Sequence, residues 1–362
     1  MTTALLAGGG TAGHVNPLLA LADHWRGVEP AVELLVLGTA EGLEARLVPE
    51  RGYELLTIPR VPFPRRLNRD AARFPGRFRG AVRRARTILR DRGVDVVVGF
   101  GGYASAPAYL AARLEGVPIV AHEANARPGI ANRLAVWLGG TAAVTFAGTP
   151  LRHARLVGMP LRPEITALDR PAMRAEALRH LGLGAGRPVL LVTGGSTGAQ
   201  RLNETMTTSA ARVLGTSWQV LHLTGTGRGG DDPGLEGYVT MPYCDRMDLA
   251  FAAADLVLCR AGSATVSELA ALGLPSVLVP YAAGNGEQRL NARELVAAGG
   301  AVLVPDAELT PQWVARELVP LLGRRAEVAR MAAAAASVGR RDGDAALLAL
   351  VRESLAPSSR LG

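Results

Sequence analysis

Lysine is absent from this 362-residue sequence, and all 40 basic residues are arginine. Chemistry that depends on a lysine amine, such as a Schiff base or the Walker phosphate loop, is therefore excluded. Cysteine is scarce, since only Cys244 and Cys259 occur, so neither a disulfide framework nor a cysteine zinc cluster can form. We expect both to be buried, reduced thiols.

Long uninterrupted apolar runs are missing as well. The longest candidate, from Leu134 to Leu151, contains three glycines and Pro150, which do not suit a membrane-spanning helix. The first seven residues have no basic region and lead directly into glycines, which argues against an export signal. With 48% hydrophobic and 20% charged residues, the chain can form a large core. We predict a soluble or peripheral protein in the cytoplasm.

Positive charge is concentrated in one segment. From Arg60 to Arg92 there are twelve arginines and two aspartates, a local net charge of +10 in a chain whose total is +8. Apolar residues recur there at helical spacing, namely Phe78, Val82, Ala85 and Leu89. This pattern predicts an amphipathic helix. An ordinary surface helix would show the same apolar face, but the charge density favours docking on anionic lipid.

Short apolar, β-rich runs alternate with longer helical patterns in both halves of the chain. The runs of the first half are Thr3–Ala7, Val32–Leu37, Val94–Gly99, Pro118–Ala121 and Ala142–Phe146. The rhythm resumes with Pro188–Val192, Gln219–Leu223, Asp255–Leu258, Ser276–Val279 and Ala301–Val304, between helices such as Val266–Leu272 and Glu287–Ala298. This alternation predicts an α/β fold of two doubly wound parallel-sheet domains, with ligands bound in the cleft between them.

Two segments predict how the domains are joined. Val157–Pro163 contains two prolines and a glycine, which favours an ordered hinge strand. The alanine-rich stretch from Arg324 to Leu355 is mostly helical in pattern, and its last part is expected to return to the first domain. The predicted division is residues 1–162, residues 163–340, a returning helix at 341–356 and a disordered tail at 357–362.

Glycine-rich loops follow three of the predicted strands, at Gly8–His14, Gly99–Ser105 and Thr193–Gln200. Glycine lets backbone N–H groups approach a phosphate where a helix begins. Gly8, Gly10 and Gly13 also match the dinucleotide fingerprint, but Glu41 lies too far beyond the second strand to hold a ribose. A tight strand-to-helix turn explains any single loop, whereas three together favour phosphate binding.

The segment Cys259–Glu268 combines a strand end, a turn of small residues and a helix start. Its unbonded N–H groups would suit a diphosphate. Glu268, placed in the first helical turn, fits two roles: a favourable charge at a helix N-terminus, or an acceptor for both hydroxyls of a ribose. The segment alone does not decide between them.

These loops, together with His122–Gly129 and Asn285–Ala292, resemble the bacterial lipid I N-acetylglucosaminyltransferase family, which makes lipid II for peptidoglycan. The resemblance covers nearly the whole chain, in order. It implies a GT-B fold, two Rossmann-like domains facing a cleft, with residues 1–162 toward acceptor and membrane and residues 163–340 on the donor. It also implies inverting transfer of N-acetylglucosamine from its UDP donor to the C4 hydroxyl of the N-acetylmuramoyl-pentapeptide of lipid I, which yields β-1,4-linked lipid II and UDP.

The resemblance also implies a set of site residues. Ser196, Thr265 and the turn at Ser263 would meet the donor diphosphate, Glu268 the ribose, and Cys244 would lie near uracil. Asn125, Gln288 and Asn291 would meet the transferred sugar, with Arg162 reaching in from the hinge. The full predicted donor site is Thr11, Ala12, Gly13, Asn125, Arg162, Ser196, Cys244, Ser263, Ala264, Thr265, Val266, Ser267, Glu268, Gln288 and Asn291. The acceptor diphosphate is assigned to Gly101, Gly102 and Tyr103.

Inversion by a single displacement needs one catalytic base. His14 follows the first loop, and the ordinary histidine pKa of about 6.5 suits proton transfer near neutral pH, so His14 is the predicted base. The other role open to it is a neutral ring that hydrogen-bonds a phosphate or a loop carbonyl. Glu123 is the alternative base, and the adjoining His122 is expected to be a core or strand-end residue.

Backbone amides at a helix N-terminus can stabilise the charge on departing UDP without a metal. We therefore predict no obligatory cofactor and no bound metal, with UDP-N-acetylglucosamine as a substrate. Asp342-Gly343-Asp344 matches the DxD pattern of metal-dependent glycosyltransferases, but it lies in the C-terminal helical region, which favours a chance match.

The expected partners are UDP-N-acetylglucosamine, lipid I, the anionic inner leaflet and other cell-wall synthesis proteins, but no nucleic acid. The expected location is peripheral, on the cytoplasmic face of the bacterial plasma membrane. The predicted membrane face consists of Phe74, Arg77, Phe78, Arg79, Arg83 and Arg84.

Other functions compete with this interpretation. A nicotinamide-dependent oxidoreductase would explain the first loop, but not three glycine loops or the pair Glu268 and Gln288. A GT-B enzyme that glycosylates diacylglycerol and a nucleotide-sugar epimerase are nearer alternatives. An RNA-binding module that uses the arginine segment would need interleaved stacking aromatics, which the segment lacks.

Overall fold

The structure, a computed structural model, describes residues 1–64, 69–227, 231–281 and 286–356. The chain divides into two units. Unit 1 comprises Met1–Arg162 with the C-terminal segment that begins at Arg341, and unit 2 comprises Pro163–Arg340. The tail predicted at 357–362 and the motif residue Asn285 lie outside the described residues.

Unit 1 is an alternation of strands and helices. Its elements are β1 (Thr3–Ala7), α1 (Ala12–Val28), β2 (Glu33–Gly38), α2 (Glu44–Glu50), β3 (Glu54–Thr57), α3 (Arg69–Asp91), β4 (Val96–Gly99), α4 (Ser105–Glu115), β5 (Ile119–Glu123), α5 (Ile130–Trp137), β6 (Thr141–Val144) and β7 (Arg155–Leu156). The described strands form one parallel sheet in the order β3-β2-β1-β4-β5-β6-β7. The loops after β1 and β4 therefore lie side by side at the carboxyl edge of this sheet.

The sheet of unit 1 is covered on both faces. Along β1, Ala4 and Leu6 join the apolar cluster beneath α1, whereas Leu5 and Ala7 join the cluster beneath α3, α4 and α5. Successive strand residues point to opposite faces, so a strand covered on both sides has no exposed position. This explains why the run of five apolar or small residues in β1 is buried throughout.

Unit 2 repeats the architecture with more helices. Its elements are α6 (Pro163–Thr166), α7 (Arg170–His180), β8 (Val189–Thr193), α8 (Gln200–Thr208), α9 (Ala210–Leu214), β9 (Gln219–Leu223), β10 (Tyr238–Met241), α10 (Met247–Ala253), β11 (Leu256–Cys259), α11 (Ser263–Leu272), β12 (Ser276–Leu278), α12 (Glu287–Asn291), α13 (Arg293–Ala297), β13 (Ala301–Leu303), α14 (Pro311–Trp313), α15 (Val319–Gly323) and α16 (Arg325–Val338). Its described strands form a parallel sheet in the order β10-β9-β8-β11-β12-β13.

The last helix, α17 (Gly343–Leu355), belongs to unit 1. It packs against α1, and Leu347 and Val351 are buried in the cluster on that side of the sheet. At its start Gly343 passes so close to the backbone that an added Cβ would lie 2.3 Å from Met159 O, so only glycine fits. Asp344, the second acid of the DxD match, lies 3.2 Å from His24 Nδ1, which gives it a structural contact.

Each predicted strand is present with small differences at its ends, but the sequence interpretation missed β3, β7 and β10. The strand predicted for the hinge segment is absent: residues 157–162 form no strand, because Gly158 has a φ of +87° and its N–H shares Val144 O with the N–H of Val157. The helix predicted over Glu287–Ala298 is divided into α12 and α13 at Ala292. Helices α6 and α7 precede β8, so the third glycine loop does not open the first helix of this half.

Candidate active site

The first two glycine loops are in direct contact in unit 1. Ala7 and Gly99, the last residues of β1 and β4, are partners in the sheet register. Ser105 Oγ donates to Ala7 O at 2.9 Å, and Phe100 N donates to the same oxygen at 2.8 Å. A Cβ on Gly102 would lie 2.3 Å from Gly9 O, so the approach of the two backbones requires glycine there. Two motifs that are far apart in sequence thus form one surface.

His14 lies in the first turn of α1, directly above this surface. Its Nδ1 is 3.1 Å from Gly9 O and 3.3 Å from Thr11 Oγ1. Because a carbonyl oxygen can only accept, a hydrogen bond to Gly9 O requires a hydrogen on Nδ1, and in the neutral ring Nε2 is then the acceptor. That Nε2 lies 3.2 Å from the position of a Cβ added to Gly101. The loop-carbonyl contact and a basic Nε2 are therefore compatible in one ring.

Glu44, the first residue of α2, is a buried acid that the sequence interpretation missed. Its carboxylate accepts hydrogen bonds from Gly10 N at 2.8 Å, Thr39 N at 3.0 Å and Thr39 Oγ1 at 2.7 Å. Burial opposes ionisation of this carboxyl, but these donors outweigh it and hold the pKa of Glu44 below its ordinary value. A Cβ on Gly9 would lie 2.3 Å from Glu44 Oε1, so a side chain at this position would displace the carboxylate.

This contact changes the interpretation of the first loop. The N–H of Gly10 already binds an internal carboxylate, and the N–H of Gly8 donates to Leu37 O. An acid after β2 would hold a ribose in a dinucleotide-binding domain, but the oxygens of Glu44 are directed at the protein backbone and Thr39. The first loop is thus a poor dinucleotide site.

Glu123, the alternative base, holds a loop together. Its Oε1 accepts from Asn125 N at 2.9 Å, and its Oε2 accepts from Gly129 N and Asn132 Nδ2, both at 2.9 Å. The side chain is buried, and Asn132 in turn accepts from Tyr109 OH at 2.9 Å. Three donors already occupy this carboxylate, which disfavours Glu123 as a base and makes it the organiser of the turn that carries Asn125.

His122 is a core residue, as expected from its strand-end position. It is fully buried, and its Nε2 lies 3.0 Å from Gly158 O. Burial lowers the pKa of His122 to about 4, so the ring is neutral near pH 7. This neutral, buried ring packs against Phe100, with ring centroids 5.6 Å apart.

The residues assigned to the acceptor diphosphate surround this surface. Tyr103 is half-buried in the second loop, and the guanidinium of Arg60 lies 4.8 Å from its ring centroid. A Cβ on Gly10 would be 3.9 Å from the Tyr103 ring, so the two loops meet here as well. Gly101 and Gly102 both have positive φ, at +89° and +79°, which favours glycine. Unit 1 therefore places the imidazole of His14 beside a turn of two glycines, with the guanidinium of Arg60 at its edge.

In unit 2, helix α11 begins at the turn after β11. Gly262 is its N-cap, and no side chain caps the helix. The N–H of Val266 already donates to Gly262 O, and the Val266 side chain is buried, so Val266 offers a ligand neither amide nor side chain. The first-turn amides of Ser263, Ala264 and Thr265 remain as the groups suited to an anion.

Glu268 is not where the sequence interpretation placed it. Because α11 starts at Ser263, Glu268 is the sixth helical residue and lies in the second turn, and no acid occupies the first turn. The stabilisation of an acid by the helix dipole is confined to the first turn. This position disfavours the role of Glu268 as a simple N-terminal charge. It favours the other predicted role, in which the half-buried side chain accepts hydrogen bonds.

Helix α12 brings two further predicted residues to the same turn. It packs against α11, and Asn291, which is fully buried, donates from Nδ2 to Ala261 O at 3.4 Å. Gln288 lies one helical turn earlier and accepts from Tyr281 N at 2.8 Å through Oε1. Asn291 thus fixes the backbone of the turn, and Gln288 fixes the backbone at Tyr281.

The third glycine loop ends β8, the strand next to β11. Ser196 is exposed, and its carbonyl accepts from Thr226 N at 3.0 Å and Thr226 Oγ1 at 3.1 Å. A Cβ on Gly225 would lie 2.1 Å from Gly198 N, so the two loops interlock. Cys244 follows the edge strand β10 and is buried, which raises the pKa of its thiol.

A charge network that was not predicted supports the turn between β11 and α11. Arg260 donates to Val279 O at 3.1 Å and pairs with Asp306, which also accepts from Arg201 Nε at 3.1 Å. The guanidinium of Arg260 lies 5.6 Å from the ring centroid of Tyr281. Asp306 therefore links the start of α8 to the residue before the turn. No spacing in the sequence indicated this contact.

Helix α3 has two different halves. In the second half Val82, Ala85 and Leu89 are buried against their own unit, so the apolar stripe there is ordinary packing. In the first half the rings of Phe74 and Phe78 cluster with Phe63, with centroids 5.2 to 6.4 Å apart, and Phe63 is 39% exposed. Within the described residues, no helix has the length and apolarity needed to cross a membrane.

Two parallel-sheet units, each with glycine-rich turns at the carboxyl ends of its strands, are typical of nucleotide-sugar transferases. Models of the N-terminal and C-terminal domains of glycosyltransferase family 28 match residues 4–144 and 189–347. The chain belongs to this family and is a glycosyltransferase of the GT-B class.

The relatives give a more specific likeness. Proteins from Leifsonia xyli subsp. xyli and Streptomyces coelicolor, 61% and 50% identical, each cover 98% of this chain and 99% of their own length. Both are named UDP-N-acetylglucosamine–N-acetylmuramyl-(pentapeptide) pyrophosphoryl-undecaprenol N-acetylglucosamine transferase. The crystal structure of Acinetobacter baumannii MurG is 26% identical, with a TM-score of 0.80 over 98% of this chain and 100% of its own. A Neisseria meningitidis UDP-GlcNAc 2-epimerase, 13% identical with a TM-score of 0.68 over 98% of this chain, shares the fold.

Proposed function

We propose that this protein transfers N-acetylglucosamine from UDP-N-acetylglucosamine to the C4 hydroxyl of the N-acetylmuramoyl-pentapeptide of lipid I, with inversion, to form lipid II. Membership of family 28 and the relatives' names support the reaction class. The observation that carries the proposal is the uncapped start of α11, because its free amides match a nucleoside diphosphate.

Unit 2 holds the donor in this proposal. The amides of Ser263, Ala264 and Thr265 bind the diphosphate, with the exposed hydroxyl of Ser196 at the neighbouring strand end. Glu268 accepts the ribose hydroxyls, which its position in the second turn of α11 supports. Gln288 of α12 binds the transferred sugar, and uracil lies beside Cys244. The predicted sugar contact of Asn291 is replaced by a supporting role, because its side chain is fully buried and donates to Ala261 O.

Unit 1 supplies the base and the acceptor site. Nε2 of His14 takes the proton of the acceptor hydroxyl as its oxygen attacks C1 of the sugar. The bond between C1 and the diphosphate oxygen breaks, and UDP leaves with the electron pair. The glycine surface at Gly101 and Gly102, with Tyr103 and Arg60 at its edge, binds the lipid diphosphate. Asn125 and Arg162 are the residues of this unit that bind sugar hydroxyls.

No metal is required in this mechanism. The negative charge that develops on departing UDP is stabilised by fixed amide dipoles, which need no reorganisation during the reaction. Exhaustive dialysis against a chelator should leave kcat within about twofold of the untreated enzyme. A loss of activity that added Mg²⁺ restores would contradict this part of the proposal.

The substrate assignment has a direct test. Radiolabelled UDP-N-acetylglucosamine is incubated with lipid I and, separately, with diacylglycerol, and the lipid products are resolved. We expect label in lipid II alone. Label only in the diacylglycerol product, or release of a free epimerised sugar nucleotide, would replace the proposal with one of the two neighbouring activities. Titration with NADH should give no binding isotherm, whereas UDP should.

We further propose that the exposed face of α3 from Phe74 to Arg84 docks on the anionic inner leaflet. Arg79, Arg83 and Arg84 are exposed, and within the described part of the chain they form no ion pair. Arg86 and Arg90, by contrast, are both paired with Glu115, at 2.6 Å each. The half-exposed rings of Phe63, Phe74 and Phe78 add apolar contact. Arg77, which donates to Arg60 O at 2.8 Å, links this face to the acceptor loop.

Charge reversal tests the docking face. Changing Arg79, Arg83 and Arg84 to glutamate should release the protein from anionic vesicles, because each arginine near such a surface contributes about 1 kcal/mol. The control reverses the exposed Arg179, Arg212 and Arg330 of unit 2, which changes the net charge equally. Equal release by both variants would show that only net charge matters, and retention of the first variant would reject the face.

A further inference from the structure

The peptide bond between Gly9 and Gly10 is hydrogen-bonded at both ends. Its N–H donates to Glu44 Oε2 at 2.8 Å, and its C=O lies 3.1 Å from His14 Nδ1. In a trans peptide the N–H and C=O point in opposite directions. One planar group therefore connects a buried carboxylate to the imidazole, with Glu44 on one side and His14 on the other.

We propose that Glu44 is a positioning residue, which acts through the Gly9–Gly10 peptide to hold His14 as the Nδ1–H tautomer and to make its Nε2 more basic. The inference rests on the proposed function only in taking His14 as the base. Glu44 touches neither substrate, since its oxygens are occupied by Gly10 and Thr39.

The negative charge of Glu44 acts on the His14 ring through the Gly9–Gly10 peptide that lies between them. A carboxylate that accepts the peptide N–H polarises the peptide and leaves more negative charge on its carbonyl oxygen. That oxygen then accepts the Nδ1–H bond more strongly, and it stabilises the imidazolium formed when Nε2 takes a proton. Carboxylates that bond histidine directly orient the ring and stabilise its charge in the same way. Here one peptide is interposed.

Burial makes the effect of this charge large. Glu44 is 1% exposed, so water screens its charge poorly. Its three hydrogen-bond donors keep it ionised, as its lowered pKa indicates. Gly9 is the second requirement, because a Cβ there would displace the carboxylate from the Gly10 amide. Gly9, which matches a phosphate-binding loop in sequence, is thus needed to leave space for the carboxylate of Glu44.

Other titratable groups border the same surface and must be held constant. On the second loop these are Tyr103 and, over its ring, Arg60. At the end of β5 they are Glu123, joined through Asn132, and the buried His122. Glu44 differs from all of them because it alone bonds the peptide whose carbonyl meets the His14 ring. A change at Glu44 therefore reports on this one connection.

The first experiment uses the unmodified full chain. Nitrogen chemical shifts of the His14 ring, measured by NMR with ¹⁵N labelling, report which nitrogen carries hydrogen. We expect Nδ1–H with an unprotonated Nε2. A dominant Nε2–H tautomer would overturn the inference, whatever the behaviour of any variant.

The second experiment compares Glu44→Gln with Glu50→Gln, which makes the same change at the exposed end of α2. Loss of the negative charge at Glu44 disfavours imidazolium, so the His14 pKa measured by NMR should fall by about 0.5–1 unit and kcat by about tenfold, with donor KM nearly unchanged. Glu50→Gln should change neither. If Glu44→Gln does not fold, Glu44→Asp keeps the charge but withdraws it from Gly10, and a smaller fall of the same sign is expected.

The outcomes distinguish the positioning role of Glu44 from the role of His14 as the catalytic base. Unchanged His14 tautomer and pKa in a folded Glu44 variant would reject the positioning role, even if His14 is the base. Full activity of a His14→Ala variant would instead reject the base, while the NMR shifts would still decide whether Glu44 acts on the ring through the peptide.

Discussion

The first loop of unit 1 and the proposed donor turn of unit 2, between β11 and α11, have the same local design: a buried strand, a turn of glycine and small residues, and a helix. They differ in whether an acidic side chain binds their backbone amides. At the first loop, Gly10 N is bonded to the buried carboxylate of Glu44. At the donor turn, the helix after Gly262 has no side-chain cap, and no acid lies in its first turn. The first loop already binds a carboxylate of its own chain, whereas no side chain caps the amides at the start of α11.

This difference shows what a glycine-rich loop does and does not indicate. Glycine permits close approach to the backbone, but the approaching group can be a ligand phosphate or a side chain of the same chain. In unit 1 the space left by Gly9 is filled by Glu44, and the loop carbonyl is directed at His14. We infer that unit 1 uses its loop to control a base and unit 2 uses its turn to bind a diphosphate.

The largest expected effect comes from removing the base. His14→Ala should lower kcat by about 100- to 10,000-fold, because general base catalysis typically contributes that much. The affinity for UDP should be nearly unchanged, since the proposed diphosphate site lies in unit 2. Steady-state kinetics with lipid I and calorimetric titration with UDP measure the two quantities. A variant with normal kcat would place the base elsewhere and remove the contrast between the units.

The loss of stability at acid pH can be compared between the two units, because each contains a buried histidine, His122 in unit 1 and His222 in unit 2. Burial lowers the pKa values of His122 and His222 to about 4, from 6.5. The unfolded chain therefore binds more protons than the folded chain between about pH 6.5 and 4, so stability is complete above this window and falls as the pH drops through it, by up to about 3 kcal/mol per histidine. Hydrogen exchange at about pH 7 and 4.5, corrected for intrinsic rates, follows each unit separately.

Matched variants assign the loss to its unit. His122→Gln should reduce the acid sensitivity of unit 1 alone, and His222→Gln that of unit 2 alone, because glutamine does not titrate. His222 also bonds Asn203 at 3.1 Å and Tyr238 at 2.8 Å, so its variant should be less stable at neutral pH. Equal acid sensitivity of the wild type and both variants would contradict the buried-histidine explanation.

Removing Glu268, the proposed ribose acceptor, tests whether donor binding belongs to unit 2. Glu268→Ala should raise the donor KM and the Kd for UDP by about 10- to 100-fold, since a hydrogen bond to a charged group contributes about 1.5–3 kcal/mol. Binding of lipid I should change little. Glu268→Gln is the control for charge, because it keeps an acceptor oxygen. Unchanged donor kinetics in both variants would leave Glu268 without a role at the ribose.

The smallest effect comes from making the donor turn resemble the first loop. Gly262→Asp places an acid at the N-cap, where the extended backbone and an open Cβ position accept it. Unit 2 should gain roughly 0.3–1 kcal/mol of stability, and UDP should bind about tenfold more weakly, since the carboxylate competes for the same amides. Gly262→Asn caps without charge and should weaken UDP less. Tighter UDP binding by Gly262→Asp would refute the amide site.

The strands were predictable from sequence because a strand buried on both faces must be apolar throughout, and β1, β4 and β8 are such strands. The missed strands β3 and β7 lie at the outer positions of their sheet, and β10 is one of the two outer strands described in the other, of which only β13 was predicted. Edge strands are partly exposed and carry mixed residues, so their pattern is weak. In the same way, Glu268 was recognised as important, but its turn of the helix was not, since the start of α11 depends on φ and ψ at Gly262.

The sequence by itself determined the α/β class, the glycine turns after the strands and the residue types available for a base and a ribose acceptor, because local spacing and composition carry that information. Only the tertiary structure decided which amides are free. Glu44 reaches Gly10 from 34 residues away, and Asn291 reaches Ala261 from 30. Hydrogen bonds between distant residues leave no periodic pattern in the chain, so their effect on a loop appears only when the strands and helices are assembled.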